Sequence, residues 1–312
     1  MARILAKTKD MPREEWFAYR RTGIGGSDAA TVCGLNPYSS LIELWADKTG
    51  RLPEKEDSEA MRVGRDLEEY VADRFCESTG KKVERQNKIF QHDQYDFITA
   101  NIDRRVIGEN AGLECKTTNM FNKSDFENGE IPRYYYVQCM HYMNVMGFDK
   151  MYLAVLVMGK AFYWFEIPYD PNEGAALLKM EVDFWNNHII PDIRPEPDGS
   201  DSAKETLDYI FSERVENMIT IFEQEEIAAK LAEIKAEKKK CEVEEKQLQQ
   251  ALINSLEKNS RGITLNYEIS YLARARTGID SKRLESEFPE VYEKVKTETN
   301  YNVFGLKERK NV

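Results

Sequence analysis

The chain has 312 residues, is 41% hydrophobic and 32% charged, and carries a formal net charge of −11; its 14 Phe, 16 Tyr and 4 Trp can fill a substantial core, so one large domain or a domain with an appendage is expected. No run of about 18 apolar residues and no signal-peptide pattern in MARILAKTKD is present, so a soluble, cytoplasmic protein with no membrane partner is expected. Five scattered cysteines without CxxC spacing, and only three histidines, argue against a disulfide framework, a structural zinc and an iron–sulfur cluster.

Residues 12–21 read as a short helix, followed by TGIGGSDAATVCG, where Gly23, Gly25 and Gly26 permit tight turns and Ser27-Asp28 can cap the next helix. Such a turn suits a phosphate, and equally suits an ordinary turn between helices. NPYSSLIELWADKTG reads as a helix with Pro37 near its start and Gly50 at its end. Val63, Leu67, Val71 and Phe75 recur every four residues and predict an amphipathic helix over 59–79, with Glu68 and Glu69 inside it. KVERQNKIF (82–90), YDFITANIDRRVI (95–107) and GLECKTT (112–118) read as strands, and residues 130–148 as a helix starting near Pro132. Two apolar runs, 150–159 and 161–169, predict a hairpin about Gly159-Lys160, and 177–190 a further helix.

Helices, three or four strands, a crossing helix and more strand predict a mixed α/β sheet with helices on both faces. PDIRPEPDGSDSA (191–203) has the composition of a linker. Residues 222–258 form a long, charge-dense helix, in which Ile227, Ile234, Cys241 and Leu248 recur at seven while the second seam (Leu231, Lys238, Glu245, Leu252) is half polar. An arm that folds back or pairs fits this better than a sustained coiled coil. The tail carries candidate strands over 263–275 and 301–309 around a small helix, 281–295. The expected divisions are 1–205 (core), 206–260 (helical arm) and 261–312 (a small α+β region).

Asp103 is followed eleven positions later by Glu114-Cys115-Lys116. On a strand, Glu114 and Lys116 project from one face, placing an ammonium beside a carboxylate. Two carboxylates can hold Mg²⁺ and leave room for water and a phosphate oxygen, an arrangement suited to phosphodiester hydrolysis. Alone, the triplet is weak in so charged a chain, because Asp103 could be a turn residue and Lys116 a solvated lysine. The negative net charge confines any DNA contact to one face; Arg62, Arg65, Arg74, Lys81, Lys82, Arg85 and Lys88 cluster in one stretch.

The order of the other motifs is more specific. WFAYRRTGIGGSDAATVCGLNPY, GRDLEEYVADRF, ITANIDRRV, LECKTT and YYYVQCMHYM, in that order across roughly residues 16–142, resemble the YqaJ-type viral recombinase family of PD-(D/E)xK exonucleases, a lambda-exonuclease-like group. The resemblance covers the chain to about residue 195 and implies a restriction-endonuclease-like fold. By that resemblance Asp103, Glu114 and the Cys115 carbonyl ligate the metal, Mg²⁺ with Mn²⁺ as a substitute. Lys116 orients the attacking water, Glu68 rather than Glu69 sits beside the metal, Gln138 braces Lys116 or the phosphate, and Arg20 and Ser27 hold a 5′ phosphate. Asn101-Ile102 stand where the motif name has proline. The implied activity is 5′→3′ degradation of one strand from double-stranded DNA ends, with a trimeric ring and a RecT-type single-strand annealing protein as implied partners. Two alternatives stay open: another nuclease on this fold, such as an endonuclease or a RecB-type enzyme, or a non-catalytic interaction protein on the nuclease scaffold.

Overall fold

The amphipathic helix α4 (Glu59–Thr79) forms with the bounds its periodicity predicts in the computed structural model, which describes residues 2–299 and 301–309. The Ser58 hydroxyl caps its start by accepting the Met61 N–H, and Gly80, at φ +71, ends it in the left-handed conformation. Its buried residues Val71, Ala72 and Phe75 lie on one face of a five-stranded sheet ordered β2 (Val83–Arg85), β5 (Arg104–Val106), β6 (Ala111–Thr118), β7 (Lys150–Val157) and β8 (Ala161–Pro168). Only the β6–β7 pair is parallel.

Strand alternation on β7 explains the two faces. Tyr152 and Ala154 join α4, while Leu153, Val155 and Val157 face the crossing helix α5 (Arg133–Met146) through Cys139, Met140 and Met143. Phe75 is fully buried, so Phe75→Ala would cost about 3–5 kcal/mol. The expected hairpin forms, with Gly159 at φ +70 in its turn.

Two expected strands break. Residues 82–90 divide into β2 and β3 (Lys88–Gln91), and 95–107 into β4 (Thr99–Ala100) and β5, each half joining a different sheet. β3 and β4 pair with β1 (Arg3–Lys7), a strand the sequence reading did not contain, in a three-stranded side sheet. The crossing falls at Asn101–Asp103, where Ile102 is fully buried and the Gln86 N–H reaches the Asp103 carbonyl at 3.0 Å.

Helices α1 (Arg13–Arg21), α2 (Gly26–Val32) and α3 (Leu41–Lys48) precede α4; α3 begins at a Ser40 cap rather than at Pro37. Helix α6 (Pro171–Phe184) starts earlier than expected, at an Asp170 cap, and runs into a π-helical turn over Trp185–Ile189. The linker-like stretch ends inside a helix, α7 (Asp201–Ile210), capped by Ser200, whose Ala203 and Thr206 are buried. Its Ser202 hydroxyl bonds the Glu43 carboxylate (2.7 Å).

The chain divides into a unit through Arg214 and a second from Val215. The second holds the long helix α8 (Glu225–Leu256), a hairpin of β9 (Arg261–Ile263) and β10 (Glu268–Ser270), and the short helices α9 (Ser281–Glu287) and α10 (Pro289–Val295). Residues 301–309, expected as a strand, carry no regular secondary structure. Among the described residues no helix is long and apolar enough to cross a membrane.

Candidate active site

The pairing of β5 with β6 stops at Leu113, and the site begins where the two strands part. Beyond that point the Cys115 N–H donates to Asp103 Oδ2 at 2.8 Å instead of to a strand carbonyl. The N–H and C=O of one strand residue face the same edge, so the Cys115 carbonyl opens toward this gap too. Glu114, 4% exposed, stands beside it on β6. Its Oε1 accepts Gln138 Nε2 at 2.7 Å and pairs with Lys116 Nζ at 2.6 Å. Its Oε2 is buried without a partner among the described residues.

Four residues inferred from sequence, Asp103, Glu114, Lys116 and Gln138, therefore converge. Burial, then the Glu114 and Glu68 charges, push the Asp103 carboxyl well above its ordinary range. Burial opposes the Lys116 ammonium, but Glu114 and Asp103 outweigh it and raise its pKa. Lys116 is thus held as a cation, suited to orienting a water or a phosphate oxygen rather than to accepting a proton.

Glu68 is placed at the edge of this group. Its Oε1 is in direct contact with the Arg104 guanidinium and accepts Arg85 Nη2 at 3.2 Å. Glu69, one step along α4, bonds the other arm of Arg104 at 2.8 Å. Arg104 escaped the sequence reading; the signal was its place directly after Asp103, at an inward position of a short strand.

The set fits a small divalent cation: two carboxylates and a main-chain carbonyl are hard oxygen donors, and one buried carboxylate oxygen lacks a partner. Among the described residues no group of three or more His, Cys, Asp or Glu side chains encloses a metal, so water and substrate oxygens would complete its shell.

Arg20 and Ser27 also meet: Arg20 Nη2 donates to Ser27 Oγ at 2.8 Å, with the guanidinium 4.9 Å over the Trp16 ring. Ser27 is the second residue of α2 rather than its cap; Gly25 holds the cap position, and its N–H donates to Asp28 Oδ2 at 3.0 Å. The same carboxylate takes the buried Lys48 ammonium at 2.7 Å and faces Arg20 at 3.4 Å. Burial works against ionised Asp28, but Lys48 and Arg20 outweigh it and hold its carboxyl at about 2. Asp28 and Lys48 were not singled out from sequence beyond capping, since their partners lie on other helices.

Residues 15–149 match the sequence model of the YqaJ-like viral recombinase domain. Over 313 aligned residues the chain is 41% identical to the uncharacterized protein YqaJ of Bacillus subtilis (strain 168), with 98% of each covered. The chain belongs to the YqaJ-like viral recombinase family. An 81-residue stretch, 23% of this chain and 22% of the other, is 38% identical to protein D345L of African swine fever virus (strain Badajoz 1971 Vero-adapted). The crystal structure of an alkaline exonuclease (LHK-Exo) from Laribacter hongkongensis overlaps 58% of this YqaJ-family chain and 94% of its own, at 21% identity and a TM-score of 0.50. That likeness shows the fold: a mixed sheet flanked by helices, as in exonucleases of the restriction-endonuclease-like class. The same exonuclease has also been crystallised with dAMP.

Proposed function

We propose that this chain is a divalent-metal-dependent exonuclease that degrades one strand of linear double-stranded DNA in the 5′→3′ direction. It would leave 3′ single strands on which a RecT-type annealing protein can load. The observation that carries the reading is the convergence of Asp103, Glu114, Lys116 and Gln138 where β5 and β6 part. Membership of a viral recombinase family and the alkaline exonuclease fold support the same chemistry.

Asp103, Glu114 and the Cys115 carbonyl would hold Mg²⁺, or Mn²⁺ in its place, which supplies an activated water and neutralises charge on the phosphate. Gln138 keeps Glu114 from rotating by bonding its Oε1. Lys116 stays protonated next to the same oxygen, so it can steer the water in line with the phosphorus and stabilise the charge that develops on the phosphate. Arg20 and Ser27 offer a guanidinium and a hydroxyl, 2.8 Å apart, to one terminal phosphate. Asp28 and Lys48 fix Arg20 from behind, through its guanidinium and its main-chain carbonyl (2.8 Å from Lys48 Nζ).

A linear duplex labelled separately at each 5′ end, incubated with Mg²⁺, tests polarity: label should be released as mononucleotide at the outset of digestion. Label retained until late digestion would reverse the direction. A 5′ phosphate should be preferred over a 5′ hydroxyl by at least about tenfold, since charge-assisted hydrogen bonds contribute about 1.5–3 kcal/mol. Arg20→Ala should shrink that ratio; equal wild-type rates would remove the phosphate clamp.

A further inference from the structure

Arg104 is the largest of the fully buried side chains in the first unit, with 1% of its side chain exposed. A charge so deep in a fold must be matched by partners, and here three oxygens match it. Nη1 contacts Glu68 Oε1 and donates to the Asp103 carbonyl at 2.9 Å, while Nη2 donates to Glu69 Oε2 at 2.8 Å. One nitrogen therefore bridges the α4 carboxylate to the main chain of the residue whose side chain opens the candidate metal site.

We infer that Arg104 is a positioning residue that holds the Glu68 carboxylate at the Asp103 edge of the site, toward a divalent cation or the water bound to it. The inference rests on the metal-dependent reading above. Two observations set it apart from simple anchoring of α4. The helix is already fastened to the sheet by Val71, Ala72 and Phe75 packed with Val106 and Leu113, so the ion cluster is not needed to attach it. Glu68 Oε1 and the Asp103 carbonyl also share one nitrogen, Arg104 Nη1, so this carboxylate is tied to the main chain of the residue that opens the site. Without that shared nitrogen the carboxylate would be free to swing away; Arg104 keeps it in place. The two glutamates differ in exposure, with side chains 19% exposed for Glu68 and 62% for Glu69, so Glu69 is the outer partner of Arg104 and Glu68 the inner one. Arg85, on β2 and half exposed, adds a second cation to Glu68 from the solvent side at 3.2 Å.

The test is Mn²⁺ binding to the full chain without DNA, by titration calorimetry and electron paramagnetic resonance, with the melting temperature of each variant recorded. Arg104→Gln and Arg104→Lys should weaken Mn²⁺ by about tenfold or more, as loss of groups that orient metal ligands does. The sign is informative, because removing a nearby positive charge in Arg104→Gln would by itself tighten a cation. Glu69→Gln should leave Mn²⁺ affinity at the wild-type level, and Arg104→Lys should have no further effect in a Glu68→Gln background. Unchanged or tighter binding in the Arg104 variants, or an equal loss in Glu69→Gln, overturns the inference. Should neither Arg104 variant fold, Glu68→Gln decides alone: it must weaken Mn²⁺, and wild-type affinity there overturns the inference as well. A wild-type protein that binds no Mn²⁺ would instead sink the metal-dependent reading itself.

Discussion

The ring of Tyr142 occupies the space that a β-carbon on Gly26 would need, with Cε1 2.5 Å from the position that carbon would take. The Tyr142 hydroxyl accepts Gln138 Nε2 at 2.9 Å, and Gln138 in turn holds Glu114. A line of direct contacts thus runs from the start of α2, beside Ser27, to the Glu114 carboxylate. Gly26→Ala should push α2 off α5 and lower stability by about 1–3 kcal/mol, the usual cost of overpacking. It should also reduce the preference for 5′-phosphorylated ends, because Ser27 moves with α2. Wild-type melting together with a wild-type end preference would show that the contact carries no coupling.

Removing charge from the site should stabilise the protein while destroying its chemistry. Burial, and after it repulsion from the Glu114 and Glu68 charges, raises the Asp103 carboxyl. Glu114→Gln relieves part of that repulsion, so its melting temperature without metal should rise above wild type, with hydrolysis lost. A lower melting temperature measured without metal would mean that the bond from Gln138 outweighs the repulsion.

His141 and Glu181 form a fully buried pair at 2.6 Å, with the other ring nitrogen donating to the Thr99 carbonyl at 2.7 Å. Burial disfavours the imidazolium, but Glu181 outweighs it and raises the His141 pKa. The stabilisation is therefore complete below the unfolded value near 6.5 and fades as pH climbs through the raised folded value. Melting temperatures followed from slightly acidic to alkaline pH should fall more steeply for wild type than for Glu181→Gln. Parallel curves would contradict the charged pair.

Much of this was legible locally. Period-four spacing in α4, period-two alternation on β7 and the Glu114–Lys116 step each depend on near neighbours in the chain. What escaped depends on partners far away in sequence. Residues 82–90 and 95–107 look continuous, yet each changes sheet beside the bond from the Gln86 N–H to the Asp103 carbonyl, which continues the β2–β5 pairing. Arg104 looks like a surface strand charge until α4 brings Glu68 and Glu69 over it. The segment before α7 reads as linker because Pro, Gly and Ser dominate it, but Ser200 is a helix cap and Thr206 is buried.

That last point sets where the chain can be shortened. A protein ending at Arg214 keeps α7 whole and should fold and retain metal-dependent hydrolysis, since every candidate site residue lies before it. One ending at Ala203 loses most of α7 and should melt several degrees lower, as expected for about 1–2 kcal/mol in a domain of this size. Thermal melts and digestion assays on both chains check this. A folded but inactive chain ending at Arg214 would assign residues 215–312 a part in the chemistry.

Lys116 beside Glu114 is the centre of the proposed chemistry. Initial rates of Mg²⁺-dependent digestion of a linear duplex, compared between wild type and Lys116→Ala at matched folded concentration, test it most directly. The predicted result is robust wild-type digestion and a loss of about 10²–10³-fold in the variant, the usual effect of removing one group that stabilises developing charge. Digestion by Lys116→Ala at a rate near wild type would contradict the assignment of this site.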